Sequence, residues 1–287
     1  MLTPTEALRV ERRRRPRLSL RQQYDEYIFE RIEGYKNSIP REQLLRIAAE
    51  ANADLQAGAE GQFVLTEVVM LEAVDERIKR RLKLRSFRHW ARRIRRQRDA
   101  QREPTHWGLD PSCPVGGLLR RIEPGDQALV LGPVGEGIAC LLAAHDMGVT
   151  FIAGDLGSVT RVEARCDDEA LGAALEAFVV EFALWLPPLP GSLALVVVDA
   201  NEAGSIEPVT RAQLLETLQE STGPAGVHVL LPGNRGLAPE ALLCHYDGWI
   251  QEEVGRPRRR GSRSRGIVLR HPSAGAAGAP ADDGIAV

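Results

Sequence analysis

Lysine is scarce in this sequence, and its cysteines are scattered. Only three lysines occur, none beyond Lys83, so arginine supplies nearly all of the positive charge. This bias is typical of a GC-rich genome, and it weakens any inference from arginine counts. The four cysteines, Cys113, Cys140, Cys166 and Cys244, form no CxxC pair. Neither a zinc site nor a disulfide framework is therefore indicated.

The chain also lacks an apolar run suited to a membrane. Its most apolar stretch, ALGAALEAFVVEFALWL, carries Glu176 and Glu181 and ends at Pro187-Pro188, which makes it a poor membrane span. The first residues, MLTPTEALRVERRRR, contain no apolar segment of signal-peptide length. We expect a cytoplasmic protein with no membrane partner.

Patterns of metal ligands and of nucleophilic catalysis are missing as well. The six histidines form neither an HxH nor an HExxH pattern, so no metal site is predicted. No Ser-His-Asp or Cys-His arrangement can be assigned. The sequence by itself therefore identifies no catalytic residue.

What is present is a globular composition with an uneven charge. Of the 287 residues, 44% are hydrophobic and 26% are charged, which is enough to bury a substantial core. Residues 1–104 carry a net charge of +8 and residues 105–287 a net charge of −10, which predicts two units with different surfaces. The predicted segments are a basic flexible arm at 1–19, a helical module at 20–104, an α/β domain at 105–271 and a disordered tail at 272–287.

The helical module has the periodicity of four helices, which predicts a small bundle. The predicted helices run from Leu20 to about Tyr35, from Ser38 to a residue before Gly58, from about Phe63 to Leu82 and from Ser86 to about Arg102. The last of them, SFRHWARRIRRQR, is rich in arginine. A solvated outer face, or a face turned to the acidic half of the chain, is favoured. Contact with nucleic acid is the alternative, as it is for the loop RPRRRGSRSR at 256–265.

Beyond residue 117, short β-branched runs alternate with helical stretches, which predicts a Rossmann-like, mostly parallel sheet. The predicted strands are Gln127–Leu131, Val149–Ala153, Thr160–Cys166, Leu193–Val198 and Val227–Leu231, with a helix through Ala170–Leu184 after the third. Two last strand-like segments, Trp249–Val254 and Gly266–Arg270, are joined without a helix, so they must pair antiparallel. The fold class is therefore an α/β sheet that ends in an antiparallel hairpin.

The stretch LGPVGEG, residues 131–137, lies between the first strand and a helix. One interpretation is a glycine loop that lets a nucleotide-like cofactor approach the backbone. The other is a tight turn whose glycines only satisfy backbone geometry. Asp155, after the second strand, favours a cofactor, although an acid there can also cap a helix. For Asp167-Asp168, capping of the helix that follows is favoured.

Seven segments in order resemble the class I S-adenosylmethionine-dependent methyltransferases. They are ALVLGPVGEG, VTFIAGD, ARCDD, LALVVVDAN, TGPAGVHVLLPG, WIQEEV and GIVLRHP. The resemblance implies an S-adenosylmethionine site in which the glycine loop holds the amino-acid moiety and acids after the second, third and fourth strands face the ribose, the adenine amino group and the methyl-transfer pocket. The residues assigned to these roles are Gly132, Pro133, Gly135 and Gly137 in the loop, and Asp155, Asp167 and Asp199 after the strands.

Three features depart from that family. Strand 1 lacks the acid that usually contacts the cofactor's amino group, because its residues are QALVL. The loop spaces its glycines as Gly132, Gly135 and Gly137 instead of GxGxG. Only about forty residues separate Asp155 from Asp199, which predicts that no helix fits between strands 2 and 3.

The leading hypothesis is a methyltransferase of unknown substrate whose helical module caps the cofactor cleft. An Asp/Asn-Pro-Pro-aromatic run after strand 4, which in this family accompanies transfer to base nitrogens, is absent. The alternative is an inactive methyltransferase-like binding or scaffold protein that contacts nucleic acid through its basic helices. A nicotinamide-dependent oxidoreductase ranks below both, because it does not explain the final hairpin.

Overall fold

The computed structural model of the chain describes residues 18–58, 67–182, 185–189, 191–233, 237–252 and 266–272. The chain divides into two compact units, Met1–Gln97 and Arg98–Val287. Most of the predicted basic arm, the 256–265 loop and all but the first residue of the predicted tail lie outside the described residues. No helix in the described ranges is long and apolar enough to cross a membrane.

The N-terminal region is helical, as the periodicity predicts. Its helices are α1 Leu20–Ser38, α2 Arg41–Gly58, α3 Glu67–Arg81 and α4 Phe87–Gln101, the last of which continues into the second unit. Helix α1 begins with a capping box. The backbone N–H of Gln22 donates to the Ser19 hydroxyl at 3.2 Å, and the Ser19 N–H donates to the Gln22 side chain at 2.8 Å. These bonds satisfy two of the unpaired donors at the helix start.

Two small clusters hold the helical unit together. Ile32, Ile47 and Ile78 form the centre of one. In the other, the Tyr24 ring packs edge-on against Trp90 with centroids 5.5 Å apart, and its hydroxyl donates to the Arg85 carbonyl at 3.0 Å. The apolar side of α4 is therefore fixed to α1.

The second unit is built on a seven-stranded sheet with the order β3-β2-β1-β4-β5-β7-β6. The strands are β1 Gln127–Leu131, β2 Gly148–Ala153, β3 Leu175–Val179, β4 Leu193–Asp199, β5 Thr222–Leu231, β6 Ile250–Glu252 and β7 Ile267–Arg270. Strands β1 to β5 are parallel, and β7 pairs antiparallel with both β5 and β6. The predicted fold class, a Rossmann-like, mostly parallel sheet ending in an antiparallel hairpin, is confirmed.

Helices cover both faces of this sheet. They are α5 Pro114–Leu118, α6 Glu136–Ala144, α7 Leu156–Asp168, α8 Ala200–Ser205 and α9 Pro208–Glu220. Along β1, Ala128 and Val130 join the core with α6 and α7, while Leu129 and Leu131 join the core with α8 and α9. A strand buried on both faces needs a continuous apolar sequence, which β1 and β4 have.

The prediction of the third strand is wrong. Residues 160–166 lie within helix α7, and the third strand is Leu175–Val179, inside the segment predicted as a helix. Helix α7 buries Val159, Val162 and Cys166, which recur at helical spacing. The segment LEAFV pairs with Gly148–Ala153 despite its helix-forming composition, because tertiary pairing overrides weak local propensity. A helix therefore does lie between strands 2 and 3, contrary to expectation.

Strand β5 carries a fully buried histidine in a closed hydrogen-bond chain. The Thr222 hydroxyl donates to the Leu218 carbonyl at 2.7 Å and lies 2.8 Å from Nε2 of His228. Nδ1 of His228 is 2.9 Å from the Tyr246 hydroxyl. Because the Thr222 hydrogen is already used, His228 donates from Nε2 and accepts the Tyr246 hydrogen at Nδ1. Burial lowers the pKa of His228 to about 3, so the ring is neutral.

Candidate functional site

The candidate site lies at the carboxyl edge of the sheet, where the strand order reverses between β1 and β4. Open α/β sheets bind ligands in the crevice at such a switch point. Gly132 follows β1, Asp155 follows β2, and Asp199 ends β4. The topology therefore brings three of the seven predicted site residues to adjacent strand ends.

Gly132 is the glycine that faces this crevice. Its φ of +92° lies in the region that favours glycine. A Cβ at this position would lie 2.4 Å from Cβ of Asp199 and 3.0 Å from Cβ of Glu202. Both a special backbone conformation and the approach of two acidic side chains thus require glycine here.

The other two loop glycines have packing reasons of their own. A Cβ on Gly135 would lie 2.3 Å from Cγ1 of Val130, and a Cβ on Gly137 would lie 2.9 Å from the Trp107 carbonyl oxygen. Pro133 opens a 3-10 turn over Pro133–Gly135 that leads into α6. The tight-turn interpretation accounts for Gly135 and Gly137, and Gly132 alone faces the acids.

Asp199 joins the end of β4 to the glycine loop. Its side chain is buried, with 1% of the residue exposed. Its carboxylate accepts from the backbone N–H of Asn201 at 2.8 Å and from that of Val134 at 3.3 Å. The first bond caps helix α8, and the second fixes the loop against the neighbouring strand.

Glu202, one helical turn after Asp199, completes this group and was missed in the sequence. Its Oε1 accepts from the backbone N–H of Gly154 at 3.1 Å, next to Asp155. Burial raises the pKa of Glu202, and the charges of Asp199 and Asp155 raise it further. The spacing DANE, which puts two acids three residues apart at a strand end, was the available signal, because residues i and i+3 share one face of a helix.

Asp155 acts as a helix cap in this structure. Its Oδ1 accepts from the Ser158 N–H at 2.8 Å and caps α7. Hydrogen bonding from the Ser158 side chain and from its backbone N–H lowers the pKa of Asp155, and the charge of Arg161 adds a smaller effect. Arg161 in turn pairs with Glu136 at 2.6 Å, which links the first turns of α7 and α6. The ion pair therefore holds the two helices together at the carboxyl edge of the sheet.

Asp167 does not lie at a strand end. It belongs to the last turn of α7, where its Oδ1 would be 2.3 Å from a Cβ on Gly172. Because the predicted strand before Asp167 is helical, there is no longer a reason to place Asp167 against an adenine. The predicted N-cap is wrong as well, because helix α7 ends at Asp168 and no helix begins there. The acid that follows the observed third strand is Glu181, whose side chain is exposed.

Large apolar side chains are exposed beside these acids. Val134 follows β1, Leu156 follows β2 and Trp185 follows β3, with 38%, 67% and 51% of each residue exposed. The Trp185 ring also packs edge-on against Phe178 of β3 at 6.3 Å. Exposed apolar groups at three neighbouring strand ends are typical of a surface that a ligand covers.

A second cavity and the possible metal ligands are weaker candidates for a functional site. A cavity of about 570 Å³ at the opposite, amino edge of the sheet is lined by Arg121 and Arg270. Both arginines pair with Glu252, at 2.6 and 3.1 Å, so neither charge is free for a ligand. Within the described residues, no group of three or more His, Cys, Asp or Glu side chains could hold a metal ion.

Comparison with models of known protein families gives no match, and comparison with curated proteins gives none. Solved structures similar to the chain include a TehB-like SAM-dependent methyltransferase from Corynebacterium glutamicum, with 17% identity, a TM-score of 0.44 and coverage of 64% of this chain and 96% of that one. The N-methyltransferase NodS from Bradyrhizobium japonicum has 14% identity, a TM-score of 0.42 and coverage of 55% and 92%.

A SAM-dependent methyltransferase from Geobacter sulfurreducens, solved in complex with S-adenosyl-L-homocysteine, has 17% identity and a TM-score of 0.33. The match covers 42% of this chain and 49% of that one, so the chain spans about half of that protein. At these identities the likeness concerns the fold, and no residue role is transferred from it.

Proposed function

We propose that the α/β unit binds S-adenosylmethionine at the carboxyl edge of its sheet and transfers the methyl group to an acceptor. The observation that carries this proposal is a pair of acids at the switch point, Asp199 and Glu202, whose side chains start beside Gly132. Their carboxylates accept from the backbone N–H groups of Val134 and Gly154, which follow β1 and β2. Among the described residues, no Lys, Arg or His pairs with either carboxylate. Two partly desolvated acids without a cation favour a positively charged ligand.

The chemistry of S-adenosylmethionine fits this arrangement. Its amino-acid chain carries an ammonium group, and its sulfur is a sulfonium, so two positive charges lie close together. Strand β1 offers no acid for the ammonium group, since all its residues except Gln127 are apolar. Glu202, on the helix that follows β4, is an acid near Gly132 that can bind the ammonium group instead. We assign the ammonium group to Glu202.

The neighbouring residues supply contacts for the rest of the cofactor. Asp155 caps α7 through Oδ1 and has a second carboxylate oxygen for ribose hydroxyls. Leu156 and Val134 present apolar surface for the adenine ring. The role that the resemblance gives to an acid after strand 3 passes from Asp167 to Glu181, because Glu181 follows β3.

When bound, S-adenosylmethionine supplies an electrophilic methyl group to a nucleophile of the acceptor. The protein's share of this chemistry is to orient the cofactor through the acids at the switch point and to exclude water around it. A general base is needed only if the acceptor is protonated, and no residue is assigned to that role. The capping of the cleft by the helical region stays a prediction.

Calorimetric titration with three ligands tests this assignment. The three ligands differ in their positive groups: S-adenosylmethionine has both the ammonium and the sulfonium, S-adenosylhomocysteine has the ammonium but no sulfonium, and 5′-methylthioadenosine has neither. A hydrogen bond to a charged group contributes about 1.5–3 kcal/mol. We therefore expect Glu202→Gln to weaken the first two ligands by about 10- to 100-fold and to leave 5′-methylthioadenosine unchanged.

Glu216→Gln is the matched control, because Glu216 is an exposed acid on α9 and its loss changes the charge by the same amount. Its affinities should equal those of the wild type. If the wild-type chain binds none of the three ligands at millimolar concentration, the proposal is wrong, and a fold retained without its cofactor is the better account. Equal weakening of all three ligands by Glu202→Gln would contradict the assignment of the ammonium group.

A further inference from the structure

The helical unit contains a segment with an extreme charge. Residues 77–97, here called the basic segment, include eleven Lys and Arg residues and no Asp or Glu. The described residues before it, 18–58 and 67–76, hold eleven acids and five Lys and Arg. A genome that favours arginine codons replaces lysine by arginine, but it does not remove acids from one segment. The segregation is therefore a property of this segment.

Most of these charges are exposed and have no ion-pair partner among the residues that the structure describes. Arg77 pairs with Glu50 and Asp54, and Lys79 pairs with Glu76. The nine others, from Arg80 to Arg96, are all exposed, and none forms an ion pair with a described residue. Like charges held this close repel one another and reduce the stability of the helix. A polyanion that bound there would relieve this repulsion.

The charges are held on a rigid surface. Helix α4 is fixed on its apolar side, where Trp90 and Ala91 are buried and Trp90 packs against Tyr24. Its charged side carries Arg88, Arg92 and Arg96, spaced four residues apart. A cavity of about 390 Å³ beside it, at the turn between α3 and α4, is also lined by basic side chains, among them Arg21, Lys79, Arg80 and Lys83.

We propose that the basic segment binds the phosphate backbone of double-stranded DNA without base specificity. From Phe87 to Gln97, α4 extends about 16 Å, and the major groove of B-form DNA is wide enough to admit a helix. The major groove of A-form RNA is too narrow for this. Arginine donates several N–H groups in a plane and suits phosphate oxygens. This inference does not rest on the proposed methyl transfer.

Other polyanions fit less well. Single-stranded nucleic acids are bound largely by stacking bases on exposed aromatic rings. Trp90 within the segment and Tyr24 beside it are each only 5% exposed. A membrane surface takes up helices through large apolar side chains. The basic segment exposes none of these among its described residues. Binding of duplex DNA through its phosphates requires only a rigid array of exposed positive charges, which the basic segment provides.

Fluorescence anisotropy of a labelled 30-base-pair DNA duplex with the full chain tests the proposal. If four of the nine exposed cations contact phosphates, the slope of log K against log salt is about −3.6, which weakens binding by about 150-fold between 50 and 200 mM salt. The double variant Arg92→Glu/Arg96→Glu should lower the affinity at least tenfold. The control Arg41→Glu/Arg46→Glu makes the same charge change on exposed positions of α2 and should lower it less than threefold.

Circular dichroism and the thermal midpoint show whether both variants are folded. Equal losses in the two double variants would overturn the assignment to the basic segment. Tighter binding of a single-stranded oligonucleotide, of an RNA duplex or of vesicles of phosphatidylserine and phosphatidylcholine would overturn the choice of DNA. Unchanged DNA affinity together with a lowered thermal midpoint in Arg92→Glu/Arg96→Glu would show that these charges pair within the protein, and it would also overturn the proposal.

Discussion

Replacing Tyr246 by phenylalanine removes one hydroxyl group from the core of the α/β unit. That hydroxyl lies 2.9 Å from Nδ1 of His228, and both residues are buried, with 4% of Tyr246 and none of His228 exposed. The other ring nitrogen is already bonded to Thr222, so the ring cannot turn to find a new partner. An unpaired buried acceptor costs about 1–3 kcal/mol. We expect Tyr246→Phe to lower the free energy of unfolding by that amount.

Urea unfolding followed by tryptophan fluorescence measures this loss, because the Trp249 ring lies 4.5 Å from the ring of His228. A loss of 2 kcal/mol also lowers the thermal midpoint of a unit of this size by about 4–8 °C. Tyr27→Phe is the control, since the Tyr27 hydroxyl makes no hydrogen bond with a described residue. A change below about 0.5 kcal/mol in Tyr246→Phe, the usual scatter of surface substitutions, would refute the reasoning.

The same network predicts a dependence of stability on pH. The pKa of His228 is about 3 in the folded chain and 6.5 in a free side chain. Because the folded pKa is the lower one, the unfolded chain binds the proton first as pH falls. The stability from His228 is therefore complete above pH 6.5 and decreases below it, by about 2 kcal/mol at pH 5. The slope below pH 6.5 should be shallower in His228→Leu, and an equal slope would contradict the assignment.

Two further predictions concern the candidate site. Gly137→Ala should destabilise the chain by about 1–3 kcal/mol, because the added Cβ would lie 2.9 Å from the Trp107 carbonyl oxygen. Gly34→Ala on helix α1 is the control: among the described residues no atom lies within 4 Å of the added Cβ, so it should stabilise the chain by about 0.5–1 kcal/mol. Equal effects of the two substitutions in urea unfolding would count against the packing reason for Gly137. Asp155→Asn keeps a side chain that can cap helix α7, so it should leave the free energy of unfolding nearly unchanged, whereas Asp155→Ala should lower it by about 1 kcal/mol. If the Asp155 carboxylate also binds ribose, both variants should weaken 5′-methylthioadenosine in calorimetry, and an unchanged affinity in Asp155→Asn would exclude that role.

Continuous apolar runs and turn residues were enough to predict most of the sheet. Strand β1 was predicted with its observed bounds, and the predicted bounds of β2 and β4 differ from the observed ones by one residue. The buried apolar part of β5 was predicted too, but the strand begins five residues earlier, at Thr222. The final hairpin followed from two strand-like segments without a helix between them. The third strand could not be found in this way. It is a half-exposed strand at the edge of the sheet, and LEAFV is as suited to a helix as to a strand.

The site was predictable only in part, for a related reason. Gly132, Asp155 and Asp199 could be predicted because they directly follow predicted strands. Asp167 was placed wrongly because the strand before it was. The position of Glu202 depends on the turn of a short helix after β4, which brings its Cβ next to Gly132 and its carboxylate to the N–H of Gly154. The spacing of Asp199 and Glu202 in DANE indicates that the two acids can share one face of a helix, but it does not encode the contact of Glu202 with Gly154, which is distant in sequence.

The most direct test of the proposed function is a crystal structure of the full chain grown with S-adenosylhomocysteine. We expect the ligand at the switch point between β1 and β4, with its amino group hydrogen-bonded to the Glu202 carboxylate and its ribose at Asp155. Finding the ligand elsewhere, or finding none while Asp199 and Glu202 keep their present positions beside Gly132, would contradict the account.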